Sequence, residues 1–138
     1  MEKKKFQVEN RNKKEDIVKS LNDLKAIGNL KKIEVVERAT SGRIIKMKFF
    51  GDDDSLELKF ELSIRKLINP PLKNSNFIIE NYSENSQEIP DILILVGAGW
   101  GHGVGLCQSG AVGRAFSGQD YKKILLHYYP NTTIKKIY

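Results

Sequence analysis

Residues 97–113 read GAGWGHGVGLCQSGAVG, a stretch with seven glycines in seventeen positions that also holds the only tryptophan, Trp100, the only cysteine, Cys107, and one of the two histidines, His102. Glycine at alternate positions lets the backbone take positive φ and lets another surface approach the main chain closely. A strand that feeds such a loop into a helix start points amide N–H groups at whatever docks there. The stretch is therefore expected to be a binding loop. It is not a phosphate loop, because no Lys-Ser or Lys-Thr pair follows the glycines. Gly101, Gly103 and Gly105 imitate a dinucleotide fingerprint only in part, since the acidic residue that follows, Asp120, is better explained as a helix cap than as a ribose ligand.

The same residues admit other chemistries. His102 and Cys107 supply two zinc-capable groups, and His127 is the only further histidine, fewer than a site needs, so no metal or cofactor is assigned. Cys107 and His102 could form a nucleophilic pair with a helix N-terminus lowering the thiol pKa, but Cys107 is read in preference as a small apolar residue packed at a helix start. His102 either holds the loop in shape or makes an exposed polar contact, and the second is favoured in so glycine-rich a setting. Trp100 is either a core plug or a platform for a sugar ring, with nothing in the sequence to separate the two. His127, beside Tyr128 and Tyr129 in an amphipathic run, is expected to support the core.

The elements that must position this loop can be read from hydrophobic spacing. Asn12 as N-cap, Glu15 three positions later and Ile17, Val18, Leu21 and Leu24 on one face predict a helix that Gly28 ends. From Lys32 to Phe50 two β-rich runs flank Ser41-Gly42 and read as a hairpin, and LELKF adds a third strand after GDDDS. Leu62 to Ile68 predicts a short helix closed before Asn69-Pro70-Pro71, and Phe77 to Glu80 a short strand. ILILV, the most apolar run, predicts a central strand that ends where the glycines begin. Cys107 to Phe116 has helical character, Asp120 caps a second helix through YKKILLHYYP with Ile124, Leu125 and Tyr128 on one face, and TTIKKIY alternates like an edge strand. The order predicts an α+β fold, a small mixed β-sheet with hairpins and several short helices.

The 138 residues suit one compact unit, in which residues 1–30 form a basic segment and amphipathic helix and residues 31–138 the rest. A formal charge of +6 favours an anionic partner, although the Lys3–Lys5 and Lys13–Lys14 runs are expected to form a solvated face. Positive charge is spread over the hairpin, the helices and both ends, which argues against a nucleic-acid interface. A single cysteine excludes an internal disulfide framework. No run is long enough to span a membrane and the first residues lack the apolar core of a signal peptide, so the chain is expected either to be cytoplasmic or to have its export segment elsewhere.

Residues 99–111, followed by DYKKILLHYYPNTTIKK, resemble the C-terminal signature of the stage II sporulation protein D family, which runs glycine, aromatic, GHGVG, a residue or two, glutamine, then glycine-alanine. VVERATSGRIIKMKFFG resembles that family's hairpin, and IRKLINPPLKNSNFIIE its helix and following loop, so the likeness covers residues 31–138 in the same order. The resemblance implies a wall-remodelling role outside the cytoplasm, at the cell wall or forespore-facing membrane. Family members cut peptide-free glycan strands as lytic transglycosylases beside an amidase, and related members are amidase enhancers. In such chemistry one carboxyl group protonates the glycosidic oxygen and then, as a base, helps the sugar's own 6-hydroxyl attack C1.

The likeness stops at the acid. The family's catalytic glutamate lies upstream of the hairpin, where this chain offers only Glu2, Glu9 and Glu15 in lysine-rich or capping contexts; from Ile89 onward only Asp91 and Asp120 are acidic. No catalytic residue is assigned, and the chain is expected to be the C-terminal part of a larger protein. The residues expected to hold substrate are Trp100, Gly101, His102, Gly103, Gly105, Gln108 and Ser109, with peptidoglycan glycan strands as ligand and a cell-wall amidase as a further partner. Cys107 and Ser109 depart from the family's usual serine and aromatic. The alternative is a non-catalytic glycan-binding or amidase-enhancer module.

Overall fold

The computed structural model of the chain describes residues 7–103 and 105–138, so the Lys3–Lys5 run and Glu2 lie outside the described residues. The fold is α+β, with two three-stranded sheets in which every pairing is antiparallel, rather than one mixed sheet. The chain divides into two compact units, Met1–His102 and Gly103–Tyr138, and the division falls inside the glycine stretch.

In the first unit, β1 (Gln7–Lys13) leads into α1 (Lys14–Leu24), and a meander follows of β2 (Leu30–Arg38), β3 (Ile44–Gly51) and β4 (Ser55–Lys59). Then come α2 (Glu61–Arg65), β5 (Phe77–Ile79) and β6 (Ile92–Ala98). The strand read as central is central: β6 pairs with β1 on one side, Asn12 opposite Leu93, and with β5 on the other, Phe77 opposite Gly97. Leu93 and Leu95 point into the core, where they join Ile17 and Leu21 of α1, Ile33, Met47 and Phe49 of the hairpin, and Ile64 of α2. Burying such side chains contributes about 1.5–3 kcal/mol each.

The β1–β6 pairing corrects the start of the first helix. Asn12 and Lys13 are committed to the ladder opposite Leu93 and Ile92, so Lys13, not Asn12, is the N-cap and makes no side-chain capping bond. The helix also ends at Leu24, before Gly28, and Leu24 faces solvent. Gly97 shows why β5 can lie against β6: a Cβ there would stand 2.5 Å from the Asn76 carbonyl oxygen, so no larger residue fits without moving the backbone.

The second unit carries α3 (Gln108–Phe116) and α4 (Tyr121–Tyr128). Asp120 caps α4 as expected, its Oδ1 accepting from the Lys123 amide at 2.8 Å. Ile124 is buried, with Leu125 and Tyr128 half-buried beside it. Residues 132–138 form no strand, because the unit contains only helices among its described elements and offers no sheet edge for them to join. No helix among the described residues is long and apolar enough to cross a membrane.

Candidate functional site

The loop after β6 is built by three contacts from chain segments distant in sequence. Asn74, only 7% exposed, donates through Nδ2 to the Gly99 carbonyl and accepts through Oδ1 from the Asn76 amide at 2.6 Å, which couples the two loops. The Gly101 amide donates to the Lys73 carbonyl at 2.9 Å. Arg43, immediately before β3, donates from Nε to the Gly101 carbonyl at 3.2 Å. Gly99 and Gly101 sit at φ +94° and +84°, a region side chains strongly disfavour, so the alternation of glycines is what permits the turn.

This framework presents Trp100. Its side chain is 75% exposed, and the Lys73 ammonium stands 4.6 Å from the ring centroid on one face. The two readings left open for Trp100 are thereby separated: it is not a core plug. An aromatic ring held out by a pinned backbone can take a flat apolar ligand face, and a cation above it gains the ring's quadrupole attraction of about 0.5–1 kcal/mol at an exposed site. His102, next along, is also exposed.

The remaining expected ligand residues lie in the second unit. Gly103 and Gly105 precede α3 with positive φ, and Gln108 and Ser109 are its first two residues, all four exposed. Gly105 is constrained by Tyr129, whose hydroxyl would stand 2.8 Å from a Cβ there and accepts the Leu106 amide at 3.3 Å. Cys107 is the N-cap of α3, its Sγ accepting from the Gly110 amide at 3.4 Å, and its side chain is exposed rather than packed. His127 is likewise exposed rather than in the core. Its Nε2 lies 2.7 Å from Nη2 of Arg114. Because a guanidinium only donates, Nε2 must accept and the ring proton sits on Nδ1.

Sequence reasoning missed Arg43, Lys73 and Asn74, because nothing in their spacing links them to residue 100; only the folded backbone brings them to Gly99 and Gly101. Among the described residues no three His, Cys, Asp or Glu side chains gather as a metal site. Among the described residues, the two carboxyls whose acidity departs from the ordinary value both move down. Asp52 is held low by the Asn29 amide and then by Lys31, and Asp54 by Lys25. A general acid for glycosidic cleavage needs the opposite shift, so neither suits that role.

Comparison with known proteins adds two relatives. An uncharacterized protein of Brachyspira hyodysenteriae is 34% identical over 94 residues, which cover 68% of this chain and 23% of that protein. An amidase enhancer of Bacillus subtilis is 53% identical over 38 residues, 28% of this chain and 5% of the enhancer. The chain thus matches less than a quarter of the length of either relative. One family model spans most of the chain, residues 2–105, and by that match the chain belongs to the family described as Domain of unknown function (DUF8618).

Proposed function

We propose that this chain binds the glycan strands of bacterial peptidoglycan, as the substrate-holding part of a lytic transglycosylase like those of the stage II sporulation protein D family. The observation that carries the reading is Trp100, a ring exposed on a loop fixed by Asn74, Arg43 and the Lys73 carbonyl. Such a platform takes the C–H face of a pyranose, and the backbone groups around it meet hydroxyl and N-acetyl groups. The likeness to an amidase enhancer supports a place in wall remodelling, outside the cytoplasm. On this reading the catalytic carboxyl comes from a part of the intact protein that this chain does not contain.

The test is to mix the chain with peptide-free glycan strands, measure binding by cosedimentation, and search the products for anhydro-muramyl ends by mass spectrometry. Binding without new anhydro ends is expected, with affinity falling roughly tenfold, about 1.4 kcal/mol, in Trp100→Ala. Failure to bind, or binding indifferent to that substitution, would overturn the assignment. A second reading, a module that assists a cell-wall amidase without cleaving glycan, is favoured by the enhancer match alone. It predicts that adding the chain speeds release of stem peptides by the amidase.

A further inference from the structure

We propose that the Trp100 platform is selective for a sugar that carries a carboxylate, and that Lys73, assisted by Arg43, reads this charge. The inference rests on the glycan-binding reading above and concerns which glycan the loop prefers.

The charge pattern of the first unit motivates it. Many of its cations are neutralised in place, among them Lys25 by Asp54, Lys31 by Asp52, Lys32 by Glu34, Lys46 by Glu37, Lys59 by Glu57 and Arg65 by Glu61, whereas Lys19, Arg38, Lys48 and Lys66 have no carboxylate partner among the described residues but do not stand at the Trp100 loop. Among the described residues neither Arg43 nor Lys73 has a carboxylate partner, and these two are the cations that flank the 99–101 backbone. Arg43 is held there by its Nε bond to Gly101, and its Nη2 lies 3.8 Å from where a Cβ on Gly99 would stand. Lys73 rests over one face of the indole, whose side chain remains 75% exposed.

Two uncompensated cations beside an exposed aromatic ring suit a ligand with both a flat apolar face and an anionic substituent. In a wall glycan the substituent that fits is the lactyl carboxylate of a muramyl residue; an N-acetylglucosamine polymer offers the apolar face without the charge. Pairing Lys73 with that carboxylate in an exposed setting strengthens binding by up to about 1 kcal/mol, roughly fivefold in affinity.

Trp100 is the only tryptophan, so its fluorescence reports binding at this loop directly. Three ligands separate the outcomes: peptide-free muramyl-containing strands, the same strands with their carboxyls reduced to alcohols, and chito-oligosaccharides of equal length. The carboxylate strands should bind the wild-type chain about fivefold more tightly than either neutral ligand, an advantage that shrinks as salt is raised. Lys73→Met, which keeps the apolar stem over the ring, should lower affinity for the carboxylate strands to that of the neutral ones, and Lys73→Arg should restore the preference. Equal affinity for charged and reduced strands in the wild type, or a preference that survives Lys73→Met, overturns the charge-reading role while leaving glycan binding intact. No binding of any of the three overturns the glycan reading itself.

Discussion

At the scale of single residues, the loop that displays Trp100 depends on one side chain that touches no solvent to speak of. Asn74 satisfies a carbonyl of Gly99 and an amide of Asn76, two backbone groups that otherwise sit part-buried without partners. Its neighbour Ser75 is fully buried, yet its Oγ has no partner. Removing a hydrogen-bonding side chain that leaves buried groups unmatched costs about 1–3 kcal/mol, whereas removing an unmatched hydroxyl relieves a desolvation penalty. Asn74→Ala should therefore lower the urea unfolding midpoint by the equivalent of about 2 kcal/mol, while Ser75→Ala should leave it unchanged or raise it. Equal losses in the two variants would mean that the Asn74 bonds are not what holds the loop.

At the scale of elements, legibility followed how strongly each segment declares itself. The β2–β3 hairpin and β6 carry their apolar residues at strand spacing or in a continuous run, so their pattern alone placed them. β1, with the sequence QVENRNK, has one apolar residue in seven and becomes a strand only because β6 offers it a ladder edge; that is a tertiary effect no local pattern contains. For the same reason Asn12 looked like a helix cap, while Arg43 and Lys73 gave no hint that they would meet the Trp100 loop. The β3–β4 turn supplies a further case. Asp54 accepts from Lys25 at the end of α1, and Asp52 from Asn29 and Lys31 at the start of β2, so this turn ties three elements together. Both carboxyls are held below their ordinary value of 3.8, which means their contribution to stability is present above that pH and is lost as pH falls through the lower folded-state value. Lys25→Met removes the main cause for Asp54. In urea titrations between pH 5 and about pH 2, the variant should lose stability less steeply with acid than the wild type, and parallel curves would show that the Lys25 pair carries none of the acid dependence.

At the scale of the whole chain, apolar burial is divided unevenly between the two units. Every member of the main core cluster lies at or before Leu95, whereas among the described residues beyond His102 the only buried apolar side chain is Ile124, and α3 buries none. Val112, Phe116, Tyr121, Leu126 and Tyr129 all face outward, with Phe116 89% exposed. Since apolar burial is the main favourable term opposing chain entropy, the free energy of opening should be small for α3 and close to the global value for β6. The same unevenness explains why the helical signature of the last third reads so clearly in sequence while its packing does not. Capping by Cys107 and Asp120 is local, and a local signal fixes where a helix starts without saying what covers its apolar side. Hydrogen exchange followed by mass spectrometry should find the amides of Leu93 and Leu95 protected at least roughly a hundredfold more than those of Ala111 to Ala115, a difference of about 3 kcal/mol. Adding peptide-free glycan strands should raise protection around Gly101, whose amide is bonded to Lys73, if the loop is the binding surface. Comparable protection in α3 and β6 would mean that the second unit is stabilised by something other than its own apolar burial.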